Sequence, residues 1–194
     1  MTDAEPGHRR PHEYVAIPTG HIRSLRVSHR VAGFAQLLAE LNTFTAHASH
    51  GRFATMAVAV FDPRAGALSY GSAGHPPALL RRSRDGKVVR LLDAQGPVLG
   101  PIREATYTEG QVRLEPGDVL VMYTDGLIEG RGRDIETGIS QAQRLIEGWG
   151  SDTAPAEGCR QLTETLALPP RRDDLCVLIV RLRHADSSPP AAMD

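Results

Sequence analysis

The amino-acid sequence predicts an α+β domain built in layers, and three observations lead to this prediction. Short apolar segments of strand length are grouped in residues 55–91, and another follows at residues 119–123; Gly, Pro and Asp bound them. Two segments with helical periodicity come next, before a last strand-like segment. Grouped strands with helices between the groups favour a layered α+β architecture. A chain of 194 residues is long enough for one such domain with a substantial core.

The first helix follows an irregular N-terminal segment. Residues 1–29 are polar, contain three prolines and show little periodicity, so we expect them to be irregular or disordered. From Val31, apolar residues recur at intervals of three and four, which predicts an amphipathic helix ending near Ala46. The folded domain is expected over residues 30–183, and a disordered tail over residues 184–194.

Four strands are predicted after this helix, and turn residues separate each strand from the next. Turn signals this closely spaced predict antiparallel pairing of neighbours, as in a meander. The four segments are residues 55–61, 67–71, 78–81 and 88–91.

The next strand leads into an acidic residue. A Pro116-Gly117-Asp118 turn precedes an apolar run that ends at Tyr123, and Asp125 and Gly126 follow. Gly126 frees the backbone to turn sharply, so we expect the Asp125 carboxylate to lie at the rim of a sheet and face a ligand.

Two helices and a strand complete the predicted domain. Apolar residues at helical spacing predict a helix over residues 139–149, with Trp149 in the core. A second helix is predicted to begin near Asp152 and Thr153, whose side chains can cap it, and to stop before Pro169. The last strand is predicted over residues 175–182.

Composition excludes several classes of protein. The formal net charge of −1 gives no electrostatic reason to expect nucleic acid or an anionic membrane as partner. The longest apolar runs are far shorter than the ~20 residues that span a bilayer, and the N-terminus lacks a secretory signal. We therefore expect a cytoplasmic protein. Its two cysteines, Cys159 and Cys176, are expected to be buried free thiols.

A metal site is one interpretation of the acidic residues at two strand ends. Asp125 follows one strand, whereas Asp173 and Asp174 precede another. If these strands pair antiparallel, the carboxylates fall at the same edge of the sheet, and if they pair parallel no site forms. Three oxygen donors without suitably spaced Cys or His favour Mg²⁺ or Mn²⁺ over Zn²⁺. The alternative is that Asp125 is a turn residue and the Asp pair a solvated loop.

Other polar residues have both a structural and a functional interpretation. His75 lies in a rigid Gly-His-Pro-Pro turn, where it could contact a phosphate, but a bond to backbone is the interpretation we favour. Arg171 and Arg172 could bind a phosphoryl group bidentately, although loop arginines are usually only solvated.

Six short motifs occur along the sequence in a fixed order. They are Phe53-Ala54-Thr55-Met56, Ala73-Gly74-His75-Pro76-Pro77, Gly96-Pro97-Val98-Leu99-Gly100, Leu114-Glu115-Pro116-Gly117-Asp118, Tyr123-Thr124-Asp125-Gly126-Leu127-Ile128-Glu129 and Asp173-Asp174-Leu175. This set and its order resemble the bacterial PPM-type (PP2C-like) phosphatases of the sporulation stage II E and sigma-factor-regulator branch. The resemblance extends from about Phe34 to Arg183.

This resemblance implies a fold, a reaction and a set of site residues. The implied fold is an αββα sandwich of antiparallel sheets flanked by helices. The implied reaction removes phosphate from Ser or Thr of partner proteins, such as anti-sigma-factor antagonists, with a water activated by two Mn²⁺ or Mg²⁺ ions. The resemblance assigns metal-binding and catalytic roles to Asp125 and Asp173, and it makes Asp174 a further candidate metal ligand. Glu129 belongs to its motif but is not expected to bind metal.

The sequence departs from the family at the N-terminal side. The family begins its domain with a Gly-Asp followed shortly by Asp, and then a Gly-Asp-Val with a Gly-His-Gly, and neither segment occurs here. We therefore expect a domain that lacks its N-terminal strands, holds at most one ion and has impaired or incomplete activity. An exposed sheet edge would then need a partner or a second copy of the chain to cover it.

Two further functions remain open at this point. A descendant without catalysis could bind a phosphoprotein or a regulator as a phosphatase-like module. A hydrolase with a single metal ion could act on small phosphate esters. The sequence alone does not choose between these functions and a phosphoprotein phosphatase.

Overall fold

The chain forms four layers in the order helix, sheet, sheet, helix. A computed structural model describes residues 33–48, 53–130, 132–167 and 175–183. The predicted α+β sandwich is confirmed within these residues. The elements are α1 (Phe34–Ala48), β1 (Met56–Asp62), β2 (Ala67–Ala73), β3 (Leu79–Arg81), β4 (Val88–Arg90), β5 (Gln95–Gly96), β6 (Gly110–Arg113), β7 (Val119–Tyr123), α2 (Asp125–Ile128), α3 (Ile135–Glu147), α4 (Pro155–Leu166) and β8 (Val177–Arg181).

The described strands form two sheets. In the first sheet β2 pairs with β1 and β6 antiparallel and with β5 parallel. The second sheet has the order β4-β3-β7-β8, and all its pairs are antiparallel. The four predicted strands form two antiparallel pairs, β1 with β2 and β3 with β4. The prediction that all four form one meander is wrong, because the chain passes from the first sheet to the second after β2. Pro76 and Pro77 lie at this crossing, where residues without a backbone N–H cannot continue a ladder.

Alternating side chains of β7 build the two inner layers. Val121 and Tyr123 belong to the core between the second sheet and helices α2 to α4. Leu120 and Met122 belong to the core between the two sheets, which also contains Tyr70 of β2. All five residues of β7 are buried, as expected for a central strand that packs on both faces.

Helix α1 covers the outer face of the first sheet. Its Leu38 is fully buried and packs in a third core with Met56 and Ala73. A Cβ atom on Gly71 would lie 3.2 Å from Leu38 Cδ1, so the glycine lets α1 approach β2 closely. Asn42 is buried and holds the loop after β5, because its amide donates to the Ile102 carbonyl at 2.8 Å.

Several predicted boundaries differ from the structure. β7 ends at Tyr123, where the apolar run ends, but Asp125 then begins the one-turn helix α2, which was not predicted. The predicted capping of α4 by Asp152 or Thr153 is wrong, because Ala154 occupies the N-cap and makes no side-chain bond there. Pro155 follows at the first helical position, where a missing N–H costs no bond.

The cysteines and Trp149 can also be compared with their predictions. Both cysteines are free, as predicted. Cys159 is only half-buried and Cys176 is exposed, so their predicted burial is wrong. Cys176 lies just before β8, at the end of the sheet. Trp149 is buried in the core, as predicted.

Some predictions fall on residues that the structure does not describe. They include the irregular segment of residues 1–29 and the tail of residues 184–194. Asp173, Asp174, Arg171 and Arg172 also lie outside the described residues. Within the described part of the chain, no helix combines the length and the apolar character needed to cross a bilayer.

Candidate functional site

Four of the six sequence motifs meet at one end of the sandwich. The Phe-Ala-Thr motif enters β1, and the Gly-His turn leaves β2 beside it, because Met56 pairs with Ala73. β5 runs parallel to β2, so the Gly-Pro-Val-Leu-Gly motif leaves at the same end. The end of β7 joins this group through a bond between His75 and Tyr123. The Pro116-Gly117-Asp118 turn lies at the opposite end of β7.

Asp125 occupies the start of helix α2, directly beyond the end of β7. Its side chain is half-buried, and one carboxylate oxygen, Oδ1, accepts a bond from the Gly126 N–H at 2.9 Å. Leu127 and Ile128 are fully buried in the core below. The backbone of Asp125 is therefore held between a buried strand and a buried helical turn, and its carboxylate lies at the rim, as predicted.

His75 connects the two sheets at this end. Its ring Nε2 lies 3.0 Å from the Tyr123 carbonyl, and its Nδ1 lies 3.2 Å from the Thr55 hydroxyl. Because a carbonyl can only accept, the ring proton is assigned to Nε2, and Nδ1 accepts from Thr55. Burial lowers the pKa of His75, and this effect outweighs the bond to Tyr123 and the nearby charge of Asp125, which both raise it. The structure thus places His75 in a bond to backbone, the role that the sequence analysis favoured.

Close packing fixes the turn that contains His75. Gly74 has a φ of 62°, and a Cβ atom there would lie 2.2 Å from Val98 Cγ1. Its N–H donates to the Gly96 carbonyl at 2.7 Å. Ala54 and Leu99 also exchange two backbone bonds, at 3.2 and 2.9 Å. The three motifs of the first sheet therefore support one another through backbone contacts, and only glycine fits at position 74.

Strands β7 and β8 pair antiparallel, which is the condition that the predicted site requires. Tyr123 lies opposite Val177 in this ladder. Beyond it, the Thr124 N–H donates to the Cys176 carbonyl at 3.0 Å, and the Cys176 N–H donates to the Thr124 hydroxyl at 2.9 Å. The chain that enters β8 thus begins beside Asp125.

The donor chemistry at this end suits a hard divalent cation, but the described donors are too few. A carboxylate oxygen such as that of Asp125 is a preferred ligand of Mg²⁺ and Mn²⁺. Among the described residues, no group of three or more His, Cys, Asp or Glu side chains is placed to hold a metal ion. A complete site would need further oxygen donors, and Asp173 and Asp174 directly precede the described Leu175 in the sequence.

One buried carboxylate was not recognised from the sequence. Asp118 has a fully buried side chain that accepts bonds from Arg82 at 2.8 Å, from the Ser83 N–H at 2.7 Å and from the Glu115 N–H at 3.0 Å. Burial alone would raise the pKa of Asp118, but these bonds and the Arg82 charge leave it below its ordinary value. Asp118 lies at the end of β7 away from Asp125. Its bonds join the turn after β3, which contains Arg82 and Ser83, to the turn before β7, which contains Glu115.

Comparisons with known proteins agree on one family. The model of the family described as Stage II sporulation protein E (SpoIIE) matches residues 18–183. Protein IcfG of Synechocystis sp. is 35% identical over 103 residues, which are 53% of this chain and 16% of that protein. Phosphoserine phosphatase RsbU of Bacillus subtilis is 33% identical over 95 residues, 49% of this chain and 28% of that protein. The chain thus matches less than a third of the length of either relative.

Solved structures show the same fold. The RsbU and RsbW domains of Rv1364c from Mycobacterium tuberculosis superpose with a TM-score of 0.62 at 25% identity, over 77% of this chain and 42% of that one. The phosphatase domain of SpoIIE from Bacillus subtilis, presoaked with Mn, superposes with a TM-score of 0.59 at 18% identity. That comparison covers 91% of this chain and 89% of the other.

Proposed function

Because the chain belongs to the Stage II sporulation protein E (SpoIIE) family, a family of PP2C-type phosphatases, we propose that it removes phosphate from Ser or Thr of regulatory proteins with the help of a divalent metal ion. One observation carries this proposal. Strand β7 presents Asp125 beside the antiparallel start of β8, and two further acidic residues lie three and four positions before that start in the sequence.

The proposed metal ligands are Asp125, Asp173 and Asp174, and Asp125 and Asp173 are the proposed catalytic pair. Their oxygen donors suit Mn²⁺ or Mg²⁺. When bound, such an ion lowers the pKa of a coordinated water and neutralises charge on a phosphoryl group. The protein's own part is to hold Asp125 in place, through the buried turn of α2 and the bonds of Thr124 to Cys176. We propose that the residues of this chain hold at most one ion and that their activity alone is impaired.

The proposed substrates are phosphorylated regulatory proteins, such as anti-sigma-factor antagonists. The name of the Bacillus subtilis relative, a phosphoserine phosphatase, supports the chemical class. We further propose a cytoplasmic location, in keeping with substrates of this kind. A partner or a second copy of the chain is proposed to cover the edge at β8, where Val180 is 49% exposed. Within the described residues β8 pairs with β7 alone.

The alternative function is a phosphatase-like module that binds a phosphoprotein or a regulator without catalysis.

Metal titration distinguishes the two functions. Calorimetry with Mn²⁺ is combined with a phosphatase assay on a phosphoserine protein, with and without chelator. The variants are Asp125→Asn and Asp173→Asn, and Asp85→Asn serves as the control because Asp85 is an exposed turn residue. For a phosphatase, we expect the first two variants to lose Mn²⁺ binding and chelator-sensitive turnover, and the control to keep both. Equal Mn²⁺ binding by all variants would remove the site assignment, and a wild type without turnover would favour the binding module.

A further inference from the structure

Helix α2 carries Asp125 but is too short to hold its own position. It has four residues, and a single helical turn is unstable without tertiary contacts. We propose that Arg133 is a positioning residue for the metal site, because it fixes α2 against the end of α4. This inference rests on the proposed phosphatase function. It concerns a residue that lies outside all six motifs.

The contacts of Arg133 reach two separate helix ends. Its guanidinium donates to the Ile128 carbonyl at 2.7 Å and to the Leu127 carbonyl at 2.9 Å, both in α2. It also donates to the carbonyl of Leu166, the last residue of α4, at 2.9 Å. The last carbonyls of a helix have no partner inside the helix, so one side chain here satisfies three such groups. The positive charge is also favourable at the C-terminal end of a helix.

Arginine is the side chain that suits this position. Its planar fork has five N–H donors in a fixed arrangement, whereas lysine has three donors on one nitrogen. A backbone turn brings the side chain back to α2, since the Arg133 N–H donates to the Gly130 carbonyl at 3.1 Å. A lysine would keep the charge but could not reach acceptors on both helices in the same geometry.

The packing around Ile128 leaves α2 little freedom to move. A Cβ atom on Gly138 of α3 would lie only 2.0 Å from the Ile128 carbonyl oxygen. The side chains of Leu127 and Ile128 are fully buried. Helix α2 is thus enclosed by the core below, by α3 at one side and by Arg133 at its end. The bonds to Arg133 add polar contacts with α4 to the packing of Leu162 and Leu166 in the same core.

The connection to α4 ties the position of Asp125 to a second helix. Through Arg133, the helix that carries Asp125 and the end of α4 share one hydrogen-bonded group. Loss of this group should loosen the position of the Asp125 carboxylate, even though Arg133 itself is not a proposed ligand. Groups that orient metal ligands commonly affect metal affinity by about 10- to 100-fold.

Arg181 provides a matched control. It also donates to two backbone carbonyls, those of Ser151 and Thr153 in the loop between α3 and α4. Arg181 lies opposite Val119, at the other end of the β7 and β8 ladder from Tyr123. Its replacement removes a comparable set of bonds from the same layer of the protein, but far from Asp125.

The experiment measures Mn²⁺ affinity by calorimetry and the thermal midpoint for the wild-type chain, Arg133→Ala, Arg133→Lys and Arg181→Ala. We expect Mn²⁺ affinity to fall about 10- to 100-fold in Arg133→Ala and by a smaller factor in Arg133→Lys, and to stay unchanged in Arg181→Ala. Both alanine variants should lose thermal stability. Added guanidinium chloride at millimolar concentration should restore part of the Mn²⁺ affinity of Arg133→Ala only.

Three results would overturn the inference. The first is an Mn²⁺ affinity in Arg133→Ala equal to that of the wild type, and the second is an equal loss of affinity in Arg133→Ala and Arg181→Ala. If Arg133→Ala does not fold, the Mn²⁺ affinity of Arg133→Lys is compared with those of the wild type and Arg181→Ala instead. The third is a wild type that binds no Mn²⁺, or a variant Asp125→Asn that binds it normally. This third result refutes the proposed function itself, whereas the first two leave that function intact.

Discussion

Replacement of Asp118 by asparagine should lower the free energy of unfolding of the domain and should also make that free energy less dependent on pH. The side chain of Asp118 is fully buried, and it accepts three bonds, one of them from the Arg82 guanidinium. Asparagine has the same shape, but it removes the charge and turns an amide N–H₂ toward groups that are themselves donors. Arg82 is left with its charge and with a side chain that is only 17% exposed.

The size of the effect follows from these contacts. A hydrogen bond to a charged group contributes about 1.5–3 kcal/mol, and the loss of one partner from a buried ion pair costs about 3–5 kcal/mol. Because Arg82 can regain some water, we expect a loss near the lower end, about 3 kcal/mol. For a domain of this size, that loss corresponds to a fall in the thermal midpoint of about 6–12 °C.

Urea unfolding of Asp118→Asn and wild type between pH 7 and pH 3 measures the effect. The pKa of Asp118 is below its ordinary value in the folded protein, so its contribution is present above the unfolded pKa, about 4, and is lost as pH falls through the lower folded value. The difference between the two proteins should therefore be constant near pH 7 and shrink below about pH 4. An unchanged urea midpoint in Asp118→Asn, or a difference that does not shrink in acid, would show that the charge of Asp118 is not what holds these turns.

Two other predictions concern His75 and the edge at β8. His75→Ala should lower the free energy of unfolding by about 2 kcal/mol. His75→Gln should lower it by less, because the glutamine amide keeps a donor for the Tyr123 carbonyl. Equal losses of the two variants in urea unfolding would argue against a stabilising bond to Tyr123. If a second copy covers β8, Val180→Lys should lower the molar mass in sedimentation velocity. Val89→Lys, on the opposite edge of the same sheet, should not lower it. A monomeric wild type would refute the proposed self-association.

The sequence allowed the prediction of elements whose signal is local. β7 was predicted from a continuous apolar run, and its burial on both faces explains why that run is continuous. The position of Asp125 at a rim followed from the glycine after it. The choice between antiparallel and parallel pairing of β7 and β8 was open, because strand propensity does not identify a partner strand.

Features that depend on distant contacts were not predicted. Helix α2 has four residues and β5 has two, which is too short for any periodicity. Asp118 meets Arg82 from 36 positions away, and Arg133 meets Leu166 from 33 positions away. A side-chain bond over such a distance gives no periodicity or motif in the sequence that would identify the two partners. The division of the predicted meander between two sheets was missed for the same reason, since turn spacing does not show where a chain changes layer.

The order of β7 and β8 along the chain has a consequence during synthesis on the ribosome. The two strands are neighbours in the sheet, although about 50 residues separate them in the sequence. At a translation rate of about 5–20 residues per second, the nascent chain carries β7 without this neighbour for roughly 3–10 seconds. During that interval apolar side chains such as Ile179 have not yet arrived to complete the layer above the helices. The strand pair that supports Asp125 is therefore completed only when β8 has been synthesised.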